Sequence, residues 1–182
     1  MNLIKLLLYF IVFIISCNNS NKNSDKKYLK SNVNEGWKEH NPMPDVSLHL
    51  PNNWHAYEGQ LGAYVEDCDK EFCTNLVCYS MEDDGARTIL NLRRLFLKAM
   101  KLRSSKFELV SAIERHDCIT ISYYYTHVDY NYELFGRTKI WIKNNHVFVF
   151  QISGLRNDTE VITINADNIF ETVTFRWFIV IK

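Results

Sequence analysis

The hydrophobic pattern predicts an α+β fold, an antiparallel sheet flanked by two main helices. Three observations lead there. Period-two alternation runs through residues 118–127, 132–143 and 146–154. Residues 88–102 and 157–173 instead repeat their apolar side chains at helical spacing. Those two helical segments bracket a run of strands rather than separating each pair, which favours a meander with segregated helices over a doubly wound sheet.

The folded part is expected as one domain, residues 41–182. Val46, Leu48 and Leu50 alternate with Ser47 and His49, giving a half-buried strand that Pro51-Asn52-Asn53 turns before Trp54. Residues 60–66 and 75–81 read as two further strands around a cysteine-bearing loop, 67–74. Met81-Glu82-Asp83-Asp84-Gly85 is expected to open the first helix, its carboxylates accepting from free backbone N–H groups at the positive end of the dipole. Ile89, Leu92, Leu95, Phe96, Ala99 and Met100 then form one apolar face, with Arg93, Arg94, Lys98 and Lys101 largely off it. Phe107, Leu109 and Ser111 begin the next strand. In the strand after it, Ile119, Ile121 and Tyr123 share one face, and Thr120, Ser122 and Tyr124 the other. Asn144-Asn145 suits a hairpin tip, because Asn tolerates the positive φ of a primed turn. The second helix points Ile162, Ala166, Ile169, Phe170 and Val173 inward, with Asp158 or Thr159 as its cap. The β-prone tail 174–182 reads as a last strand.

A chain of 182 residues, 47% hydrophobic and 14% aromatic, can bury a real core, which excludes disorder throughout. Its formal charge is zero, so no basic excess exists to hold a nucleic-acid backbone, and no nucleic-acid partner is expected. The N-terminus is more telling. Lys5 ends a short positive region, and residues 6–15 (LLLYFIVFII) are an unbroken apolar run. That run suits the hydrophobic core of a signal peptide and falls short of the roughly 20 residues of a membrane span.

Ile14-Ile15-Ser16-Cys17 follows and resembles the lipobox of bacterial lipoproteins. The resemblance implies a signal peptide over residues 1–16, acylation (diacylglycerol, palmitate) of Cys17, and a lipid-anchored chain of the cell envelope, at the outer membrane or periplasmic face. Ser16 is the small residue such processing needs, while Ile14 stands where leucine is commonest. The alternative is an ordinary secretory leader with a cysteine nearby. Residues 18–40, rich in Asn, Lys and Ser, read as a flexible linker.

Further residues resemble the PsbP-like fold, which includes DcrB-type lipoproteins. They are the first strand ending Leu50-Pro51-x-x-Trp54, Gly62 and Tyr64 in the second, and Asn75-Leu76-Val77 before the first helix. The late hairpin and the closing helix with Phe170 and Phe175 agree, so the resemblance spans residues 45–175. It implies a two-helix sandwich whose relatives are mostly non-catalytic assembly factors, ligand or partner binders, and secretion-system chaperones.

Four cysteines remain besides Cys17. Cys68, Cys73 and Cys78 are spaced C-x4-C-x4-C, wider than the C-x2-C pairs that pinch zinc. A Cys68–Cys73 disulfide is the preferred reading, with free structural thiols or a metal as alternatives; Cys78 and Cys118 are a weaker candidate pair that needs Cα atoms within about 7 Å. The six histidines are scattered singly, and only His127 with Asp129 form a close pair. Tyr124, Tyr130 and Tyr132 are candidate partner-binding residues, because alternation puts half of the tyrosines away from the core. Arg94 and Lys98 join them as part of a basic helix face that could meet anionic headgroups.

No nucleophile–base pair and no C-x-x-C motif is present, and no cofactor, metal or catalytic residue is expected. The sequence therefore points to a non-enzymatic, membrane-anchored accessory or binding lipoprotein, with membrane lipid on Cys17 and an envelope protein or small ligand as partner. The rival reading is an immunity or chaperone-like lipoprotein that binds a secreted effector.

Overall fold

The computed structural model describes residues 36–70, 72–83, 88–128 and 131–176. The elements run β1 (Trp37–Met43), β2 (Val46–Pro51), β3 (Trp54–Ala56), β4 (Ala63–Glu66), β5 (Asn75–Glu82), α1 (Ile89–Arg103) and β6 (Ser104–Glu114). Then come β7 (Cys118–His127), β8 (Glu133–Lys143), β9 (His146–Leu155), a 3-10 turn (Arg156–Asp158), α2 (Thr159–Glu171) and β10 (Thr174–Phe175). One antiparallel sheet has seven strands in the order β3-β4-β5-β9-β8-β7-β6, and a second has three, β1-β2-β10.

The expectation of an α+β sandwich, one sheet between two main helices, is corrected here. The described chain is mostly β, in two sheets, with only two α-helices. The reason lies in β1. Its sequence WKEHNPM has no alternation, and its first four residues, 37–40, fall in the segment that reads as linker. Strand order is set by pairing: His40 faces Leu48 and Lys38 faces Leu50 across the β1–β2 ladder. At the other edge Thr174 and Phe175 pair with Ser47 and Val46. The tail beyond residue 176 lies outside the described residues, as do Cys17 and the leader.

The middle of the large sheet is covered on both faces, while the edge strand β6 stays largely exposed. Every residue between the ends of β9 is buried. Phe148, Phe150 and Ile152 pack with Leu48, Leu50, Trp141 and the inward residues of α2, Ile162, Ala166, Ile169 and Phe170. Val147 and Val149 face the other way, toward Leu92, Phe96, Ala99 and Met100 of α1 and Ile119, Ile121 and Tyr123 of β7. Helix phase is thus as the spacing predicts, with Phe96 buried and Arg94 exposed. Asn144 and Asn145 stand at φ 46° and 60° at the β8–β9 tip, as a primed turn requires.

Other boundaries move. Met81 and Glu82 finish β5 rather than opening a helix, and Thr88 caps α1, its hydroxyl accepting from the Asn91 amide at 3.2 Å. Asp158 stands at the N-cap of α2, but its side chain makes no capping hydrogen bond and instead accepts from the Lys70 ammonium at 2.5 Å. The expected 60–66 strand is shortened to β4, because Gly62 sits at φ 75° with the Cys78 carbonyl oxygen 2.4 Å from where a Cβ would be.

A close approach also fixes Gly136. It faces Tyr123 across the β7–β8 ladder, and the tyrosine ring lies over it, 2.5 Å from any added Cβ. The Tyr123 hydroxyl then reaches the Thr138 hydroxyl at 3.1 Å. Across the opposite face, Arg137 donates to both carboxylate oxygens of Asp167, at 2.8 and 2.9 Å, and to Ser122 at 2.6 Å, which ties α2 to the sheet.

Two measurements check this packing. Phe96→Ala should lower unfolding free energy by about 3–5 kcal/mol in a denaturant titration, while Arg94→Ala should change it by no more than about 0.5 kcal/mol. Gly136→Ala should be destabilising too, since Tyr123 must leave its place, and the same titration reads it.

Candidate functional site

The cysteines behave as two separate pairs. Cys68 and Cys73 form a disulfide, Cα atoms 5.8 Å apart, that closes the exposed loop between β4 and β5. Cys78 and Cys118 are free and buried, which corrects the candidate bridge between them. They lie on β5 and β7, three strand steps apart, or about 14 Å at the usual spacing. Burial pushes the Cys78 thiol well above its ordinary range.

Beside the closed loop, His55 Nδ1 lies 2.9 Å from the Asp67 carboxylate, a pair that sequence reading missed because twelve residues and a turn separate them. The expected partner of His127, Asp129, lies outside the described residues. His40 is half-buried edge-on against Tyr64, and burial, then the nearby Lys38 charge, hold it below the usual histidine range. Among the described residues no three His, Cys, Asp or Glu side chains gather as a metal site.

The tyrosines do not form one face. Tyr124 is half-buried on the α2 side of the sheet, its ring 5.5 Å from Phe135 and covered by the Arg156 guanidinium at 4.2 Å. Tyr132 packs on the α1 side, 5.9 Å from the Phe72 ring. Tyr130 is not among the described residues. Tyr124 and Tyr132 are each half-buried, against opposite faces of the large sheet, so for these two alternation chooses between two cores. A cleft of about 120 Å³ does open beside Tyr124, between Lys106, Glu108, Glu133 and Arg156. Arg156 and Glu133 approach to 3.6 Å within it, so its charges largely answer one another. It is small against the 300–1,000 Å³ typical of ligand sites.

The basic residues do come together. Arg94 and Lys98 share the outer crest of α1 with Lys101, and with Leu97 and Leu102 between them they line a shallow groove of about 390 Å³. Positions 94, 97, 98, 101 and 102 are spaced i, i+3, i+4, i+7 and i+8, so one helix face holds them all. Leu90 continues the stripe; it is 45% exposed and Leu102 is 63% exposed. The other two cations are used inward. Arg93 donates to Glu114 at 2.8 Å, and Arg103 lies partly buried near Tyr79. The leucines of this stripe were missed as site residues, although their spacing is visible in the sequence.

A chemical count of thiols checks the cysteine assignment. Alkylation of denatured, unreduced protein should label Cys78 and Cys118 and leave Cys68 and Cys73 unlabelled. Labelling of all four would contradict the disulfide.

No helix among the described residues is long and apolar enough to cross a membrane. No family model matches the sequence, and no curated protein matches it. Solved structures do. Cyanobacterial PsbP (CyanoP) from Synechocystis sp. PCC 6803 is similar with a TM-score of 0.58 and 14% identity, over 83% of this chain and 98% of that one. LpqN, described as involved in cell envelope biogenesis of Mycobacterium tuberculosis, gives 0.55 and 16%, over 78% and 92%. PA94 from Pseudomonas aeruginosa, a protein of unknown function, gives 0.52 and 10%, over 78% and 99%. At such identities the likeness speaks for architecture alone, and the described domain has a PsbP-like fold.

Proposed function

We propose that the protein is a non-enzymatic, membrane-anchored accessory or binding lipoprotein of the bacterial cell envelope. The observation that carries this is the N-terminal order of one lysine, ten apolar residues, Ser16 and Cys17. Acyl chains on Cys17 would hold the chain to a membrane that no helix among the described residues is long and apolar enough to cross. An oxidised Cys68–Cys73 pair fits an exported chain, since cytosolic thiols are kept reduced. LpqN, with the same fold, is described as taking part in envelope biogenesis, which agrees with this setting. The non-enzymatic part is supported by the sequence, which carries no C-x-x-C motif and no recognisable nucleophile–base pair.

Replacing Cys17 with Ala tests the anchor. Wild-type protein should fractionate with membranes and take up a clickable fatty acid. Cys17→Ala should accumulate as unlabelled precursor with the leader attached. A variant processed and membrane-bound like the wild type would refute the proposal.

A further inference from the structure

We infer that the outer crest of α1 rests on an anionic lipid surface, a second membrane contact besides the acyl chains of Cys17. The inference builds on the envelope reading above. Its first support is charge. The fifteen residues of α1 include five Lys or Arg and no Asp or Glu. With Arg93 and Arg103 turned inward, Arg94, Lys98 and Lys101 remain on the crest with no ion pair among the described residues. Three unanswered cations in one stripe complement a negative surface.

The second support is what lies between them. Leu90 and Leu102, 45% and 63% exposed, lie on one line with Leu97 along the same crest rather than scattered singly. Leucines set among long cationic side chains are what an interfacial helix presents: the apolar tips enter the headgroup boundary, and the lysine stems lie along it with their ammonium groups outermost. The third support is shape. This is the crest of one helix, lysine-bearing and only shallowly grooved. Protein interfaces are depleted in lysine and form around packed aromatic anchors, which the crest lacks. A planar, fluid, negative surface fits it better than a folded partner.

Reach permits the contact. α1 and β1 cover opposite faces of the large sheet, so the chain from Cys17 must pass round the domain. Residues 18–35 separate Cys17 from Gly36, and extended they span at most about 60 Å. A domain of this size has a radius of gyration of roughly 15 Å, so that length suffices.

The test uses the full lipidated chain, purified from membranes and placed in vesicles of phosphatidylcholine alone or with phosphatidylglycerol. An environment-sensitive fluorophore goes on Leu102→Cys, with Ile164→Cys, exposed on α2, as the control site. Native Cys78 and Cys118 are buried and leave the label selective. In the mixed vesicles the Leu102 probe should shift to the blue and be quenched by brominated lipid, and the Ile164 probe should not. High salt should reverse the shift, and Arg94→Gln with Lys98→Gln and Lys101→Gln should weaken it roughly 100-fold, about a factor of five for each cation.

An unchanged Leu102 probe in the mixed vesicles, or an unaffected triple variant, would overturn the inference. So would a response to soluble poly-glutamate without one to vesicles, which would make the crest a site for acidic protein. Flotation with neutral vesicles reads the acyl anchor separately. If that fails, flotation with the mixed vesicles, compared between the wild type and the triple variant, still decides the role of α1.

Discussion

The structure depends on one constraint: the middle of the large sheet must be covered on both sides. β9 is buried from Val147 to Gly154, and β7 and β8 alternate between two cores rather than between core and water. A strand of this kind exposes apolar surface whichever face is left bare, so one helix is not enough. α1 closes one face. The other needs α2 and the small sheet together, with Val46, Leu48 and Leu50 supplying what the helix alone does not reach. The Arg137–Asp167 pair and the Tyr123–Gly136 contact are local devices inside this arrangement. One fixes where α2 lies, and the other lets a large ring settle flat on a neighbouring strand.

That constraint decides where function can sit. Both faces of the central strands are consumed among the described residues. What remains is the edges, the loops and the backs of the helices. The loop around Cys68 and Cys73 is held by its disulfide and by Phe72, which is buried. The cleft beside Tyr124 is small, and Arg156 pairs with Glu133 inside it. The back of α1 sets exposed Leu90 and Leu102 among Arg94, Lys98 and Lys101.

Much of the fold could be read directly from residues. The helix phases were legible because Phe96 recurs with Leu92, Ala99 and Met100, and Ile162 with Ala166 and Ile169, at helical spacing, and the Asn144-Asn145 turn because few residues accept its backbone. The small sheet was not legible. β1 offers Trp37, His40 and Met43 without alternation, and β10 is two residues long; each becomes a strand only through pairing with β2. Such dependence on partners distant in sequence is what local patterns do not carry. The site was legible in halves. Arg94 and Lys98 were visible as a basic face, but the tyrosines misled, since alternation reports two environments without saying that one is water. Tyr124 lies under Arg156, a contact between strand and turn that no spacing announces.

The pairing of β2 with β10 has a kinetic consequence. Ser47 and Thr174 join hydroxyls at 2.6 Å across a sequence separation of 127 residues. The α2 side of the core includes Val46 and Phe170, so it cannot be completed until the last elements of the domain are available. Contacts of such separation are slow to form and leave earlier segments waiting with apolar surface uncovered. A chain threaded N-terminus first through a membrane would therefore emerge without its finished core and stay extensible through most of its passage. Its final strands would act as the latch that ends the unfolded phase.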